Sequence, residues 1–425
     1  MSREMKDSRI PWISGIPQTW QQLPIRYLFD EVREKNSLGK EKKALKFTYG
    51  TIIPKTDFDA DEEEYVANTI LNYTIVDPGV IMINCLNLNF DFVSQRIGLV
   101  KDKGVITSAY LAIKSKDENV VYPPFANYQL KSFDNVKAFH NMGTGVRKTL
   151  DFAELGKKYF ILPPISEQHR IADFLDSKCS QIDEISKRIQ EEINTLEEYK
   201  KSVITEAVTK GLDPNAELKD CGIEWAEKVP KHWRVMPNKY VMAKIKVVPP
   251  VYQGEDILSL TMNGVIVRDL DAGGKMPSSF NGYQKLKPGN LLMCLFDYDV
   301  TPRCIGLIKN EGVTSPAYSQ FVMKNDNNAS YYYYYYLMID FTKELLHLAK
   351  NLRHSFTEEQ LGVIDTPVPP IEEQIAISDY LDKKCEEIEE AISVKRQQLS
   401  TLEEYKKSLI YEYVTGKKEV PDANA

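Results

Sequence analysis

The octapeptide Thr195-Leu-Glu-Glu-Tyr-Lys-Lys-Ser202 recurs unchanged at Thr401–Ser408, 206 residues further along a chain of 425. Identity of that length is not a chance event, and an internal repeat decides the architecture before any local reading does. At the same offset PPISEQHRIADFLDSKC (163–179) faces PPIEEQIAISDYLDKKC (369–385), and 25 of the 48 positions in 163–210 match their counterparts in 369–416. Upstream the likeness thins but persists. GVRKTLDFAELG (145–156) faces NLRHSFTEEQLG (351–362), and IGLVKDKGVITSAY (97–110) faces IGLIKNEGVTSPAY (305–318). IPWISGIPQTWQQLPIRY (10–27) faces IEWAEKVPKHWRVMPNKY (223–240). The chain is one unit written twice, each a variable globular part followed by a better-preserved tail.

The tails read as long helices. Each follows a Pro-Pro pair, which disfavours helix before it, and residues 166–208 contain neither Pro nor Gly. Leu175, Ile182, Ile189, Leu196 and Val203 recur every seven residues, with Ile185, Ile193 and Tyr199 beside them, which is the pattern of a coiled-coil seam. The second copy keeps Leu381, Ile388, Leu402 and Leu409, matches Tyr199 with Tyr405, and sets Lys395 in the stripe. A polar intrusion of that kind fixes register. Such a stripe serves homodimerisation or packing on the chain's own globular parts, but the repeat offers another partner, the second helix of the same chain. Some 43 residues make a rod of about 60 Å, whereas the linker GLDPNAELKD reaches at most about 35 Å. The second globular part is therefore expected near the far end of the first rod, with its own helix running back.

The predicted fold is two α/β (α+β) globular domains, residues 1–162 and 211–368, joined by two long antiparallel coiled-coil helices. The helices occupy 163–210 and, with a C-terminal tail, 369–425, in a tandem repeat with pseudo-two-fold symmetry. Within the globular parts, VDPGVIMINCLNL (76–88) and LKPGNLLMCLFDY (286–298) each read as a Pro-Gly turn leading into a buried strand. Tyr331–Tyr336 is expected to start a partly buried helix ending near His347, a stacking platform for bases being the alternative.

Composition points to a cytoplasmic protein. The opening MSREMKDSRIPWIS is charged and lacks the apolar core of a signal peptide, and no apolar run approaches the ~18 residues that span a bilayer. Six cysteines (85, 179, 221, 294, 304 and 385) form no CxxC pair, so neither a disulfide framework nor a zinc site is expected. A net charge of −7 argues against a simple nucleic-acid binder. The acidic excess falls in 163–210 and 369–425, however, leaving the globular parts near neutral and open to a local basic face.

Catalytic chemistry is not found. Tyr122-Pro-Pro-Phe125 approaches the (Asp/Asn/Ser)-Pro-Pro-(Tyr/Phe/Trp) motif of amino-methyltransferases, but tyrosine lacks the carbonyl that accepts from the target amino group. Gly143-Thr-Gly-Val-Arg-Lys-Thr149 fails the spacing of a phosphate loop, because Arg147 stands where glycine must precede the lysine. Glu217-Leu-Lys219 imitates a nuclease triplet inside a linker. The expectation is a non-catalytic binding or organising protein with no catalytic or metal-ligating residues of its own.

A globular part, PPI-(Ser/Glu)-Glu-Gln, a long helix, and then the same again resembles the specificity subunit of type I restriction-modification systems, over essentially the whole chain. The most specific marks are PPISEQ and PPIEEQ, the paired octapeptides, and the closing VTKGL (208–212) and VTGKKEV (414–420). The resemblance implies that each globular part is a target-recognition domain reading one half of a bipartite site in double-stranded DNA. It implies that the helices act as a ruler and dock two modification (methyltransferase) subunits through Leu175, Ile182, Ile189, Leu196, Tyr199, Leu381, Ile388, Leu402 and Tyr405. Restriction (motor-nuclease) subunits would complete the complex. S-adenosylmethionine, ATP and Mg are then expected on partners and no cofactor on this chain.

For DNA contacts, the loops after the Pro-Gly strands hold side chains suited to base edges: Asn87, Asn89, Ser94, Gln95 and Arg96, then Asp297, Tyr298, Asp299, Thr301 and Arg303. Arg147, Lys148, Arg353 and His354, in the turn before each proline pair, suit phosphate contacts. Lys46, Tyr49 and Lys55 are further candidates. For each arginine the alternative is a surface ion pair that closes the domain. A coiled-coil adaptor binding protein at its ends is the rival reading, and it predicts no DNA affinity even with partners present.

Overall fold

In both halves of the chain the Pro-Gly turn feeds a buried strand, and the same sheet grows around it. The computed structural model describes residues 3–56, 69–90, 95–143, 148–271, 277–349 and 354–421. These divide into two compact units, 1–189 with 397–425, and 190–396, so each long helix gives one half to each unit.

The first unit holds a four-stranded antiparallel sheet of β1 (Phe29–Glu31), β2 (Ile81–Ile83), β3 (Ile97–Leu99) and β4 (Leu111–Ser115), in the order β1-β4-β2-β3. Every residue of β2 is buried, as a short uninterrupted apolar run demands. Gly79 takes φ 90 in the turn before it, a conformation glycine adopts without steric cost. Helix α1 (Pro123–Asn135) covers the sheet with Phe125, Leu130 and Phe133 buried. Tyr122-Pro-Pro-Phe125 is its start: proline in the first helical turn gives up an N–H that had no partner there anyway.

The second unit repeats the plan. Strands β5 (Met242–Ile245), β6 (Leu291–Met293), β7 (Ile305–Leu307) and β8 (Ser319–Met323) run in the order β5-β8-β6-β7, and α3 (Ala329–Thr342) takes the place of α1. The tyrosine run lies in α3, and the stacking alternative is corrected here. Tyr331, Tyr332, Tyr334, Tyr335 and Tyr336 are all at most 5% exposed. Their hydroxyls are engaged within the unit, with Val208 O, Pro367 O, Asp382 Oδ1, Trp225 Nε1 and Asn238 Oδ1 respectively. Buried phenols need such partners, and burial raises all five above the ordinary tyrosine range.

Helices α2 (Ile165–Lys210) and α4 (Ile371–Val414) pair antiparallel inside each unit. In the first, Lys406 meets Asp183 at 2.5 Å and the rings of Phe174 and Tyr413 lie 4.5 Å apart. In the second, Lys200 meets Glu389 and Arg396 meets Glu197 at 2.9 Å. Lys395, the polar intrusion, pairs with Glu192. Exposed pairs add little stability, on the order of 0–1 kcal/mol each, but opposite charges set register. The seam is consumed internally. Leu175, Ile182, Leu381 and Ile388 are buried in the units' own cores, which corrects their assignment to a docking face. Ile189, Leu196 and Leu402 are half-buried, while Tyr199 and Tyr405 stand 47% and 55% exposed.

The preserved PPI-(Ser/Glu)-Glu-Gln segment fastens each helix to its domain. Buried Gln168 accepts from Tyr122 N–H at 2.9 Å and donates to Val120 O and Pro163 O, both at 2.9 Å. Its counterpart Gln374 accepts from Asn328 N–H at 2.8 Å and donates to Asn327 Oδ1 and Pro369 O, both at 2.9 Å. The glutamate before each glutamine receives an indole N–H, Trp20 to Glu167 at 2.8 Å and Trp233 to Glu373 at 2.9 Å. Tyr128 and Tyr334 donate to Asp176 and Asp382 on the next turns, both at 2.7 Å.

Each helix ends on a left-handed glycine beside the same tryptophan, Gly211 at φ 74 by Trp233 and Gly416 at φ 70 by Trp20. A Cβ on Gly416 would lie 2.4 Å from Pro17 Cγ, whereas one on Gly211 would lie 3.2 Å from Trp233 Cζ2. Gly416→Ala is therefore expected to combine backbone strain with overpacking and to cost about 2–4 kcal/mol, Gly211→Ala about 1 kcal/mol. Unfolding curves of the two variants check the order; equal losses would mean that the contact with Pro17 does not matter. Among the described residues no helix is long and apolar enough to cross a membrane, and no cluster of three His, Cys, Asp or Glu side chains is placed to hold a metal.

Candidate nucleic-acid interface

Two segments about sixty residues apart in sequence meet in each unit. In the first, the loop from β2 to β3 touches the turn before α2: Leu88 N–H donates to Lys148 O at 3.1 Å and Leu150 N–H to Cys85 O at 3.3 Å. In the second, Tyr298 N–H donates to His354 O at 3.2 Å and Phe356 N–H to Leu295 O at 3.0 Å. These are the same two bonds at equivalent positions. The loops also share a left-handed residue, Asn87 at φ 53 and Asp297 at φ 46, types that tolerate it. Each has its carbonyl capped by the N–H three residues on, Phe90 at 3.1 Å and Val300 at 3.3 Å. One backbone frame thus carries different side chains in the two units.

The frame brings Asn87 and Asn89 together with Lys148, and Asp299 together with His354. Asn87 is exposed, Asn89 and Lys148 are half-buried, and Gln95 is exposed. His354 Nδ1 lies 2.7 Å from Asp299 Oδ2, and that hydrogen bond draws the Asp299 carboxyl below its ordinary range. A hairpin, Leu45–Thr48 with Thr51–Pro54, packs beside the loop and carries Tyr49 at its tip, 78% exposed. Gln95 lies against Gly50 at that tip, and Arg303 reaches Gly264 in the matching hairpin of the second unit. Lys46 and Lys55, on and just after the first hairpin, are half-buried, as are Thr301 and Arg303. Arg147, Arg353 and Ser94 lie outside the described residues.

Two candidates do not face outward. Arg96 is fully buried, and its Nη1 donates to Asn84 O at 3.0 Å and Leu86 O at 2.8 Å. Tyr298 is 3% exposed, packed on Phe356 at 5.1 Å with Lys343 Nζ 4.8 Å from its ring, and burial holds its phenol protonated. Both support the loop from within and are not on its exposed edge. Sequence reasoning missed the carboxylates beneath: Asp134 Oδ2 accepts Arg96 N–H at 2.8 Å and Asp340 Oδ2 accepts Cys304 N–H at 2.9 Å. Their signal was present, since both fall at the 206-residue offset, three positions before Lys137 and Lys343.

A doubled antiparallel sheet with a loop-and-turn face, each copy packed with paired helices, defines a protein of two like units. Residues 45–195 match the family model of the type I restriction modification DNA specificity domain. The type I restriction enzyme MjaVIII specificity subunit of Methanocaldococcus jannaschii is 25% identical over 348 residues, covering 76% of each chain. Among solved structures, a chain from work on complex assembly and conformational transition of the type I R-M system aligns with a TM-score of 0.68 at 14% identity, covering 95% of this chain and 99% of that one. The HsdS subunit from Thermoanaerobacter tengcongensis aligns with a TM-score of 0.50 at 14% identity, covering 97% and 100%. These two likenesses speak to fold. Residues 45–195 thus carry the type I restriction modification DNA specificity domain, and over most of its length the chain is similar to type I restriction enzyme specificity subunits.

Proposed function

We propose that this chain reads a bipartite, asymmetric site in double-stranded DNA for a cytoplasmic type I restriction-modification complex, one half-site per unit. The observation that carries the reading is the duplicated loop-and-turn junction, one frame bearing Asn87, Leu88 and Phe90 in the first unit and Asp297, Tyr298 and Val300 in the second. Phosphate-contacting turns beside variable base-contacting loops are what two readers of different sequences require. The helices carry the docking sites for two modification subunits, one at each octapeptide, and restriction subunits complete the assembly. S-adenosylmethionine, ATP and Mg belong to those partners, and this chain supplies no reacting group. The partners also bring phosphate-neutralising charge that an acidic chain lacks.

Co-expression with modification subunits, followed by sequencing that maps methylated adenines, tests the proposal. The expected result is a bipartite motif, of which exchange of residues 1–162 for those of a relative rewrites one half only. Both halves changing together would sink the two-reader scheme. A complex that assembles but binds and methylates no DNA would favour the adaptor.

A further inference from the structure

The two recognition loops are tied down by different cations. In the first unit the tie is Arg96, which closes the loop from its own end: its guanidinium holds Asn84 O and Leu86 O while its N–H rests on Asp134. The equivalent residue of the second unit is Cys304, whose N–H rests on Asp340 in the same way but which brings no charge. There the cation comes from another element. Lys343 Nζ donates to Thr301 O at 2.7 Å and to Asp340 Oδ1 at 2.6 Å, and lies 3.4 Å from Cys304 Sγ. Its side chain is 21% exposed and that of Asp340 is 5% exposed, so the contacts are made largely out of water. Charge-assisted bonds are strong in such surroundings, and removing one partner strands the other.

The backbone adds an independent observation. Lys343 caps α3 at φ 57, and its counterpart Lys137, one residue past the Val136 cap of α1, also takes φ 57. That left-handed position favours glycine, and a side chain there is strained. Both lysines share that strain, so the backbone sets where each side chain starts and the contacts it makes decide its role. In the second unit the use is visible, because the lysine reaches the loop. In the first, Arg96 occupies the role.

We infer that Arg96 and Lys343 are positioning residues for sequence reading, Arg96 fixing the stretch from Asn84 to Phe90 in the first unit and Lys343 the loop through Thr301 in the second, so that one half-site is read strictly by each. The inference rests on the proposal that these loops contact DNA. Base discrimination depends on donors and acceptors held within a fraction of an ångström by the residues behind them. Without the Lys343 ammonium, Thr301 O and the Asp340 carboxylate lose their common partner. The segment carrying Asp299, Thr301 and Arg303 then samples several shapes and accepts more than one base.

The test is made on the assembled complex, with Lys343→Met, Lys343→Gln, Lys343→Arg and Arg96→Met. Methylation is read position by position at cognate and singly mismatched sites, and thermal melting is followed alongside. Lys343→Met is expected to raise mismatched relative to cognate methylation roughly tenfold in one half-site, about the discrimination of one base contact, leaving the other half-site strict. Arg96→Met should do the same to the opposite half-site. Lys343→Arg, which keeps the charge, should retain most of the selectivity, and Lys343→Gln serves should the methionine variant not assemble. Equal loss at both half-sites, in step with melting, would make the residues merely structural and overturn the inference. Variants as strict as wild type, on a wild-type complex that shows a bipartite motif, would overturn it alone. A wild-type complex lacking a bipartite motif would overturn the functional reading beneath it.

Discussion

Changing Tyr199 and Tyr405 together to aspartate is expected to give a folded chain that no longer captures modification subunits. The two octapeptides share several internal duties that explain much of their identity. Lys200 and Lys406 pair across the helices with Glu389 and Asp183, at equivalent positions of the repeat. Glu198 with Lys201 and Glu404 with Lys407 make the same surface pair twice, each at 2.7 Å. Leu196 and Leu402 pack half-buried. None of these duties involves the tyrosines, which stand 47% and 55% exposed on helices whose seven-residue stripe, from Leu175 to Val203 and from Leu381 to Leu409, is buried or half-buried. An identical exposed aromatic kept at two equivalent places suits one partner bound twice, and aromatic anchors of this kind often contribute about 2 kcal/mol or more, roughly thirtyfold in affinity. A carboxylate set into an apolar footprint adds the cost of burying a charge, so more than a hundredfold loss per site is expected. Surface substitution should leave stability within about 0.5 kcal/mol. Sedimentation of co-expressed subunits decides the matter: the double variant should run alone, and each single variant should carry one modification subunit. Full occupancy by the double variant would place docking elsewhere.

What the sequence revealed was whatever local period or repetition could encode. The helices were legible because a seven-residue stripe without Pro or Gly has one reading, and the repeat was legible because a doubled frame needs the same anchors twice. Gln168 and Gln374 show how much such identity can mean, since each is a buried clamp and not a surface mark. The loops were legible as places but not as roles. Arg96, amid polar loop residues, has the composition of a reader; its burial depends on Asp134, 38 residues away, which no local pattern announces. The tyrosine run, read as a partly buried helix, left base stacking open as an alternative for a related reason. Aromatics suit a stacking platform and a core equally, and only the partners for their hydroxyls, from Val208 to Asp382, separate the two. The docking stripe failed at Leu175 and Leu381 because a heptad pattern shows that a face is apolar without showing what covers it.

Lengthening both helices by four residues, at Ile189/Gln190 and at Arg396/Gln397, is expected to move the methylated half-sites apart without changing either. Those junctions are where α2 and α4 pass from one unit to the other. Matched insertion keeps every pairing within a unit in register, from Asp183 with Lys406 to Glu197 with Arg396. Insertion in one helix alone would shear one set against the other. Four residues add about 6 Å, close to two base pairs at roughly 3.4 Å each, and turn the helix by about 400°, leaving a net rotation near 40°. A stutter of four is tolerated in coiled-coil seams, and consecutive base pairs themselves turn by about 35°, so the displaced unit remains able to meet the groove. The gap in the methylated motif should grow by one or two base pairs. Matched insertion of two residues adds only about 3 Å but rotates by roughly 200°, which turns the reading face away from the duplex. Methylation should then fall below detection although the subunits still assemble. Methylome sequencing of both variants settles it: an unaltered gap after the four-residue insertion would show that these helices do not measure the distance between half-sites.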